Sequence, residues 1–245
     1  MDLIGRLAGW GLARPSLLPV AVPGATRQRL ALERLAREWG WPLAASPADA
    51  DILVHCGEVT GELAEAAALV WSQVPEPRAR VELRDGVDVA VALREGRNKL
   101  LDRARRRDHV EHGIGMVAGL SLAGRAPDRD GLQLDRLSVP LGPILPEWPA
   151  GLRLRMVLQG DVVQAAVAEV VGSHRAAAMP FWDEPWRRRR TGEPVTVDAA
   201  SRHRAAAHLD SLARLLAVAG MDGDAWRCRR LRDRLLDASS PAAAA

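Results

Sequence analysis

Cysteine is almost missing from this sequence: Cys56 and Cys228 are the two in 245 residues. An iron–sulfur cubane takes four thiolates, so the chain cannot hold one alone. No Cys-x-x-Cys pair occurs, which removes the usual zinc and dithiol motifs. The two cysteines read as free thiols in a reducing compartment; a single bridge between them is the alternative. Long apolar runs are missing too. Arg6, Arg14 and the prolines at 15, 19 and 23 interrupt the N-terminal stretch, so neither a signal peptide nor a membrane-spanning helix is expected. The expected location is the cytoplasm, peripheral to the inner face of the cell membrane through partners. Tyrosine is absent, Phe181 is the one phenylalanine, Asn98 the one asparagine, and Lys99 the one lysine among 34 basic residues. This bias suggests a GC-rich genome, which weakens any argument from arginine to nucleic acid. Asp and Glu number 31 and leave a net charge of +3, and a nucleic-acid binder would place aromatic or polar readers among its arginines. No nucleic-acid partner is expected.

Three regions separate by pattern: 1–95, 96–175 and 176–245. In the first, SLLPVAV (16–22) reads as a short buried strand. TRQRLALERLAREWG follows as a helix with Thr26 as N-cap and Gly40 at its close. ILVHC (52–56) is a buried parallel strand, EVTGELAEAAALVWSQV a helix ending before Pro75, and ARVELRDG (79–86) a third strand. Alternating strands and helices imply a small parallel sheet of the doubly wound kind. In the second region, REGRNKLLDRARRRDHVEH is charged and helical, and GIGMVAGLSLAG (113–124) has too many glycines for a helix and reads as a strand. DRDGLQLDRLSVPLGPILPEWPAG, with four prolines, is a turn-rich connector. Alternating Leu152, Leu154, Met156 and Leu158, then the turn Gln159-Gly160-Asp161, predict an antiparallel hairpin with one buried face. In the third, MPFWDEPWRRRRTGEP is irregular. Two helices follow, VDAASRHRAAAHLDSLARLLAVAG and DAWRCRRLRDRLLDA, as a helical hairpin, with SSPAAAA as a frayed tail. The fold class is therefore α/β: a small parallel sheet flanked by helices, then a β-hairpin region and a C-terminal helical hairpin.

The stretch ADADILVHCGEVTGELAEAAALVWSQVPEPRARVEL has an Asp51-led strand, Gly57 and Thr60 at its end, a helix, and Pro75-x-Pro77 before the next strand. In these features it resembles the small, cluster-bearing subunit of respiratory NADH dehydrogenase (complex I) and its membrane-bound hydrogenase relatives. In that family the strand ends present cysteines to one cubane cluster, and a last cysteine sits in a Pro-Gly-Cys-Pro segment. Here the first location holds Leu17-Leu18-Pro19, the third strand runs into Arg84-Asp85-Gly86, and no Pro-Gly-Cys-Pro occurs. Cys56 falls inside its strand, where the family has no ligand. Downstream, GLRLRMVLQGDVVQAAVAEVVG resembles the N-terminal hairpin of the large subunit of the same enzymes, and the helix around HRAAAHLDSLARLLAV is loosely similar to another of its elements. The resemblance implies a retained scaffold without cluster ligands.

Other candidate chemistry is thin. His109 and His112 stand three apart, with no third metal ligand beside them. DRDGLQLD (128–135) offers Asp128, Asp130 and Asp135, yet the twelfth loop position is Val139 where a calcium loop needs a carboxylate. GEVTGE (57–62) turns a strand into a helix N-terminus, but carries no dinucleotide fingerprint or P-loop lysine, and Glu58 and Glu62 repel phosphate. Phe181, Trp182 and Trp186 with Arg187, Arg188, Arg189 and Arg190 form an aromatic and arginine cluster of the kind interface hot spots favour.

These observations point to a non-catalytic, non-redox subunit or assembly partner of a complex I-like or hydrogenase-like membrane oxidoreductase. It would have no catalytic, metal or cofactor residues of its own. It would dock on protein subunits through the open edge of the small sheet, the central hairpin and the Phe181–Arg190 segment. The alternative is a small-molecule-binding enzyme using a strand-end cleft near Gly57 and Thr60.

Overall fold

Residues 12–106, 124–127, 133–172 and 180–238 are described by the computed structural model. His109, His112, Asp128, Asp130, the strand expected at 113–124 apart from Gly124, and the C-terminal tail lie outside them. The described chain forms two compact units, Met1–His174 and Arg175–Ala245.

The first unit begins with the expected parallel sheet. Strands β1 (Leu17–Ala21), β2 (Ile52–Cys56) and β3 (Ala79–Leu83) pair in that order, Leu17 opposite Ile52 and Ile52 opposite Ala79. Every residue of β2 is buried, as expected of a central parallel strand covered on both faces. Helix α1 (Thr26–Trp39) lays Leu32 and Ala36 on one face, against Leu17, Ile52 and Val54. Helix α2 (Glu62–Gln73) lays Ala67 on the other, against Leu18, Val20 and Leu53. Helix α3 (Val89–Arg106) joins α1's face through Leu93 and Leu100, continuing across residue 95 where the sequence pattern suggested a regional boundary. Gly40 closes α1 in the left-handed conformation, as expected. The N-terminal cap differs: Ala25, not Thr26, holds that position and makes no side-chain cap bond. Its methyl is buried at the strand ends, where a polar cap would be desolvated.

A fourth strand position was not legible in the sequence. After α1, Leu43 makes an isolated parallel bridge to Leu17. Leu17 N–H donates to Pro42 O at 2.9 Å and Ala44 N–H to Leu17 O at 2.8 Å, while Ser16 O faces β2. Leu43 therefore lies on the outer side of β1. The chain steps outward from β1 through α1 on one face. It then steps inward past the 3₁₀ turn Pro47–Asp49 to β2, and on through α2 on the other face. Opposite steps on opposite faces are connections of one hand, as parallel sheets require. The order reverses between β1 and β2, which makes that junction the topological switch point of the sheet.

Among the described residues this unit also holds a four-stranded antiparallel sheet, in order β4 (Gly124–Pro127), β5 (Gln133–Leu141), β6 (Leu152–Gln159), β7 (Val162–Val170). The hairpin β6–β7 turns through Gly160 and Asp161 as predicted. The connector expected from Asp128 to Gly151 instead contains the nine-residue β5, since Leu137, Val139 and Leu141 share the face of Leu158, Met156 and Leu154. Pro140 is tolerated within it because a proline costs a strand one hydrogen bond at most. The expected buried face is a second correction. Eight of the nine β7 residues are exposed.

The second unit holds a 3₁₀ turn (Phe181–Asp183), α4 (Glu184–Arg190), α5 (Val197–Val218) and α6 (Asp222–Ala238). The segment expected to be irregular thus contains a seven-residue helix, started by Pro185 in its first turn and ended at Thr191. Thr196 caps α5, its Oγ1 accepting from Ala199 N–H at 3.1 Å. Ala206, Ala213 and Ala225 are fully buried, and small side chains like these let helices approach closely.

Candidate functional site

The switch point at the carboxyl ends of β1 and β2 is where an open α/β sheet binds its ligand. The sequence candidates Gly57 and Thr60 both lie beside it. Gly57 follows β2 directly with φ +91°, and a side chain there would collide with Val22 and with the Ala25 methyl, 2.9 Å from where its Cβ would stand. Only glycine satisfies both the dihedral and the space. Its N–H donates to Leu83 O at 2.8 Å, and Val22 N–H donates to Cys56 O at 3.0 Å. The amides at the strand ends thereby extend the ladder instead of pointing at a ligand. Thr60 is exposed in the following loop.

The antiparallel sheet closes over the same end. Pro23 packs on Gly151, 3.0 Å from where a Cβ would stand, and on Gly172, which also lies against Leu63 of α2. Arg153 of β6 ties the arrangement electrostatically. Its Nη2 donates to Glu62 Oε2 in the first turn of α2 at 2.8 Å, and its Nε to Glu169 Oε1 of β7 at 2.5 Å. Arg155 Nη2 adds a bond to Glu169 Oε2 at 3.0 Å. The hydrogen bond from Arg153 holds the Glu169 carboxyl below the usual carboxylate range, and Arg155 adds to it. Glu62 is thus engaged with an arginine where phosphate binding would ask for an open, electropositive helix end. Sequence reasoning could not find this bridge, since its partners lie 91 residues apart.

Beneath that closure sit buried titratable groups on both faces of β2. Cys56 is fully buried, and burial, with the Glu33 carboxylate next in weight, pushes its thiol up to about 12 against the opposing Arg29 charge. Arg29 and Glu33 pair along α1 at 2.6 Å, both buried. A thiol held protonated is neither a nucleophile nor a metal ligand. His55 lies on the opposite face of β2, with its Nε2 lacking a hydrogen-bond partner; burial and then the Arg80 charge hold its pKa below the ordinary value. Cys228 is a buried free thiol as well. Among the described residues no three His, Cys, Asp or Glu side chains form a set suited to a metal ion, and no helix is long and apolar enough to cross a membrane.

The Phe181–Arg190 segment divides into two surfaces. Phe181 and Trp182 meet edge to face at 4.9 Å and pack on the His203 ring at 5.2 and 5.5 Å. His203 Nε2 is also 3.1 Å from Phe181 O. Those two aromatics are half-buried and hold α5 to the turn. Trp186, Arg187, Arg189 and Arg190 are exposed, while Arg188 donates to Glu193 at 2.8 Å. The exposed set is an indole beside guanidinium groups, a surface that fits carboxylates and aromatic rings.

No family model matches the chain, and no curated protein matches it.

Proposed function

We propose that the chain is a non-catalytic subunit or assembly partner of a complex I-like or hydrogenase-like membrane oxidoreductase. The observation that carries this reading is the closed switch point. The stretch resembling the cluster-bearing subunit falls on β2, α2 and β3, and at Gly57, on the strand end where such a sheet takes its ligand, Val22 and Ala25 leave no room for a side chain. A scaffold kept while its ligand site is packed with apolar side chains suits a role in assembly. An enzyme at Gly57 and Thr60 would need open space at that junction, with polar groups converging on it.

Trp186, Arg187, Arg189 and Arg190 are the proposed docking surface, for an acidic face of a protein subunit. The test is affinity purification of the tagged chain from its native cells at low salt. Large-subunit and membrane-subunit proteins of one redox complex are expected in the eluate. The double variant Arg189→Glu/Arg190→Glu should recover them in reduced amount, because charge reversal at an interface opposes both encounter and docking. A chain recovered without any redox-complex subunit overturns the reading.

A further inference from the structure

The central strand β2 carries one polar side chain into an apolar layer. Along ILVHC the residues alternate between the two faces of the sheet, so His55 follows Leu53 onto the face that α2 covers. Leu18, Val20, Leu53, Ala67 and Val74 are buried together there. His55 is 8 % exposed, and its Nε2 is buried without a hydrogen-bond partner among the described residues. A neutral ring can be held in that way at modest cost. An imidazolium cannot, because a buried charge needs both a partner and hydrogen bonds.

The surroundings supply one carboxylate, and it is engaged elsewhere. The strand register places Val20 of β1 on one side of His55 and Glu82 of β3 on the other, each about 4.8 Å away at the backbone. Glu82 is exposed, and Arg84 Nη2 donates to its Oε2 at 2.7 Å. Arg80, two residues earlier on the same face of β3, holds its guanidinium over the Trp71 ring of α2, 4.6 Å from the ring centre. From α2 itself the buried residues are Leu63 and Ala67, while Glu62 is engaged by Arg153 and Glu65 is exposed. The loop after β2 adds Glu58, exposed, and the β5–β6 connector packs Ile144 on the same layer. Burial first, then the Arg80 charge, disfavour the imidazolium, and Glu82 opposes them.

We infer that His55 is a proton-operated latch for the α2 face of the parallel sheet: the neutral ring lets α2 close over β1 and β2, and its protonation lifts α2 while α1 keeps the other face closed. Opening would bring Leu18, Val20 and Leu53 to solvent, a surface the closed chain hides. The sign follows from the direction of the shift. The folded-state value lies below the unfolded one, so closure is fully stable above the unfolded histidine's pKa of about 6.5 and weakens as pH falls from there. With one proton linked to opening, the opening constant rises by up to about tenfold per pH unit in that range. The range lies above that of ordinary carboxylates, so the latch releases before acidic side chains discharge. It works whether or not the assembly role proposed above holds.

The test is hydrogen exchange of the full chain, read by mass spectrometry at about pH 7.5 and about pH 5.5, with protection corrected for the pH dependence of the intrinsic rate. In the wild type, protection of the α2 peptide should fall by up to about tenfold in acid, and protection of the α1 peptide by clearly less. His55→Leu keeps an apolar side chain of similar size in the layer and should leave α2 protection equal at the two pH values. Arg80→Gln changes an exposed residue, leaves the ring in place and removes the charge that opposes its protonation, so it should shrink the acid loss. Circular dichroism checks that both variants are folded. An α2 protection indifferent to pH overturns the inference. So does an acid loss that α1 shares in full, one that His55→Leu retains, or, should that variant not fold, one that Arg80→Gln leaves unchanged.

Discussion

The side chain that most constrains any chemistry here is Cys56. Its thiol lies fully buried beside Glu33, and both burial and that carboxylate disfavour the thiolate. Native protein should leave Cys56 unlabelled by a thiol reagent at neutral pH, with labelling appearing on unfolding; mass spectrometry of the labelled peptide reads the result. The same shift has a pH signature. A folded-state value raised above the unfolded one contributes stability that is complete below the unfolded thiol's pKa and is lost as pH rises. Between about pH 8.5 and the folded value, stability should fall by up to roughly 1.4 kcal/mol per pH unit from this group, and Cys56→Ala should remove that slope. The residue next to it sets a second constraint. Gly57→Ala forces a left-handed alanine into Val22 and should cost about 1–3 kcal/mol, measured by urea unfolding. Adding Val22→Ala removes the closer of the two collisions and leaves the Ala25 contact and the dihedral strain, so the double variant should recover part of the loss.

At the scale of elements, what could be read from the sequence follows from how local each signal is. The β2 strand announced itself because ILVHC is a continuous apolar run, and α1 because Leu30, Leu32, Leu35 and Trp39 recur near the helical period. The hairpin β6–β7 was legible through alternation and its Gly160-Asp161 turn. Strand β5 was not, although Leu137, Val139 and Leu141 alternate, because four prolines nearby speak for turns. The Leu43 bridge is a single residue wide and leaves no periodic trace. Nor could the candidate site be read fully. Gly57 was marked as a strand-end glycine, but the side chains that crowd it come from Val22 and Ala25, more than thirty residues earlier. The tie between β7, β6 and α2 is testable by pH. Glu169 is held below its unfolded pKa, so its contribution is present above the unfolded value and lost as pH falls through the folded one. Glu169→Gln should therefore destabilise the protein at neutral pH, and the difference from wild type should shrink in acid, as seen in unfolding midpoints at the two pH values.

For the whole molecule, the division into Met1–His174 and Arg175–Ala245 sets what cooperativity can be expected. The first unit buries large aliphatic side chains on both faces of a parallel sheet: Leu17, Leu18, Ile52, Leu53 and Leu83 are all within 1 % of full burial. Each such side chain contributes roughly 1.5–3 kcal/mol through removal from water. The second unit has less apolar area to bury, with Ala206, Ala213 and Ala225 at its centre. There the fully buried group of largest volume is the Arg232 guanidinium, which meets Asp210 at 2.6 Å and Asp233 at 2.9 Å. Such a buried pair is a poor source of net stability but expensive to break, because one charge is left without its partner. Asp210→Ala should cost about 3 kcal/mol, a large part of the stability of so small a unit. Replacing both groups, Asp210→Leu with Arg232→Met, should recover much of that loss, since the desolvation and attraction of this pair are removed together, and what remains is the cost of Asp233 losing Arg232. Scanning calorimetry separates the possibilities. With two independent cores, Asp210→Ala lowers one transition and leaves the other in place, and the double replacement restores it. One transition that shifts as a whole would show instead that the two units melt as a single cooperative body.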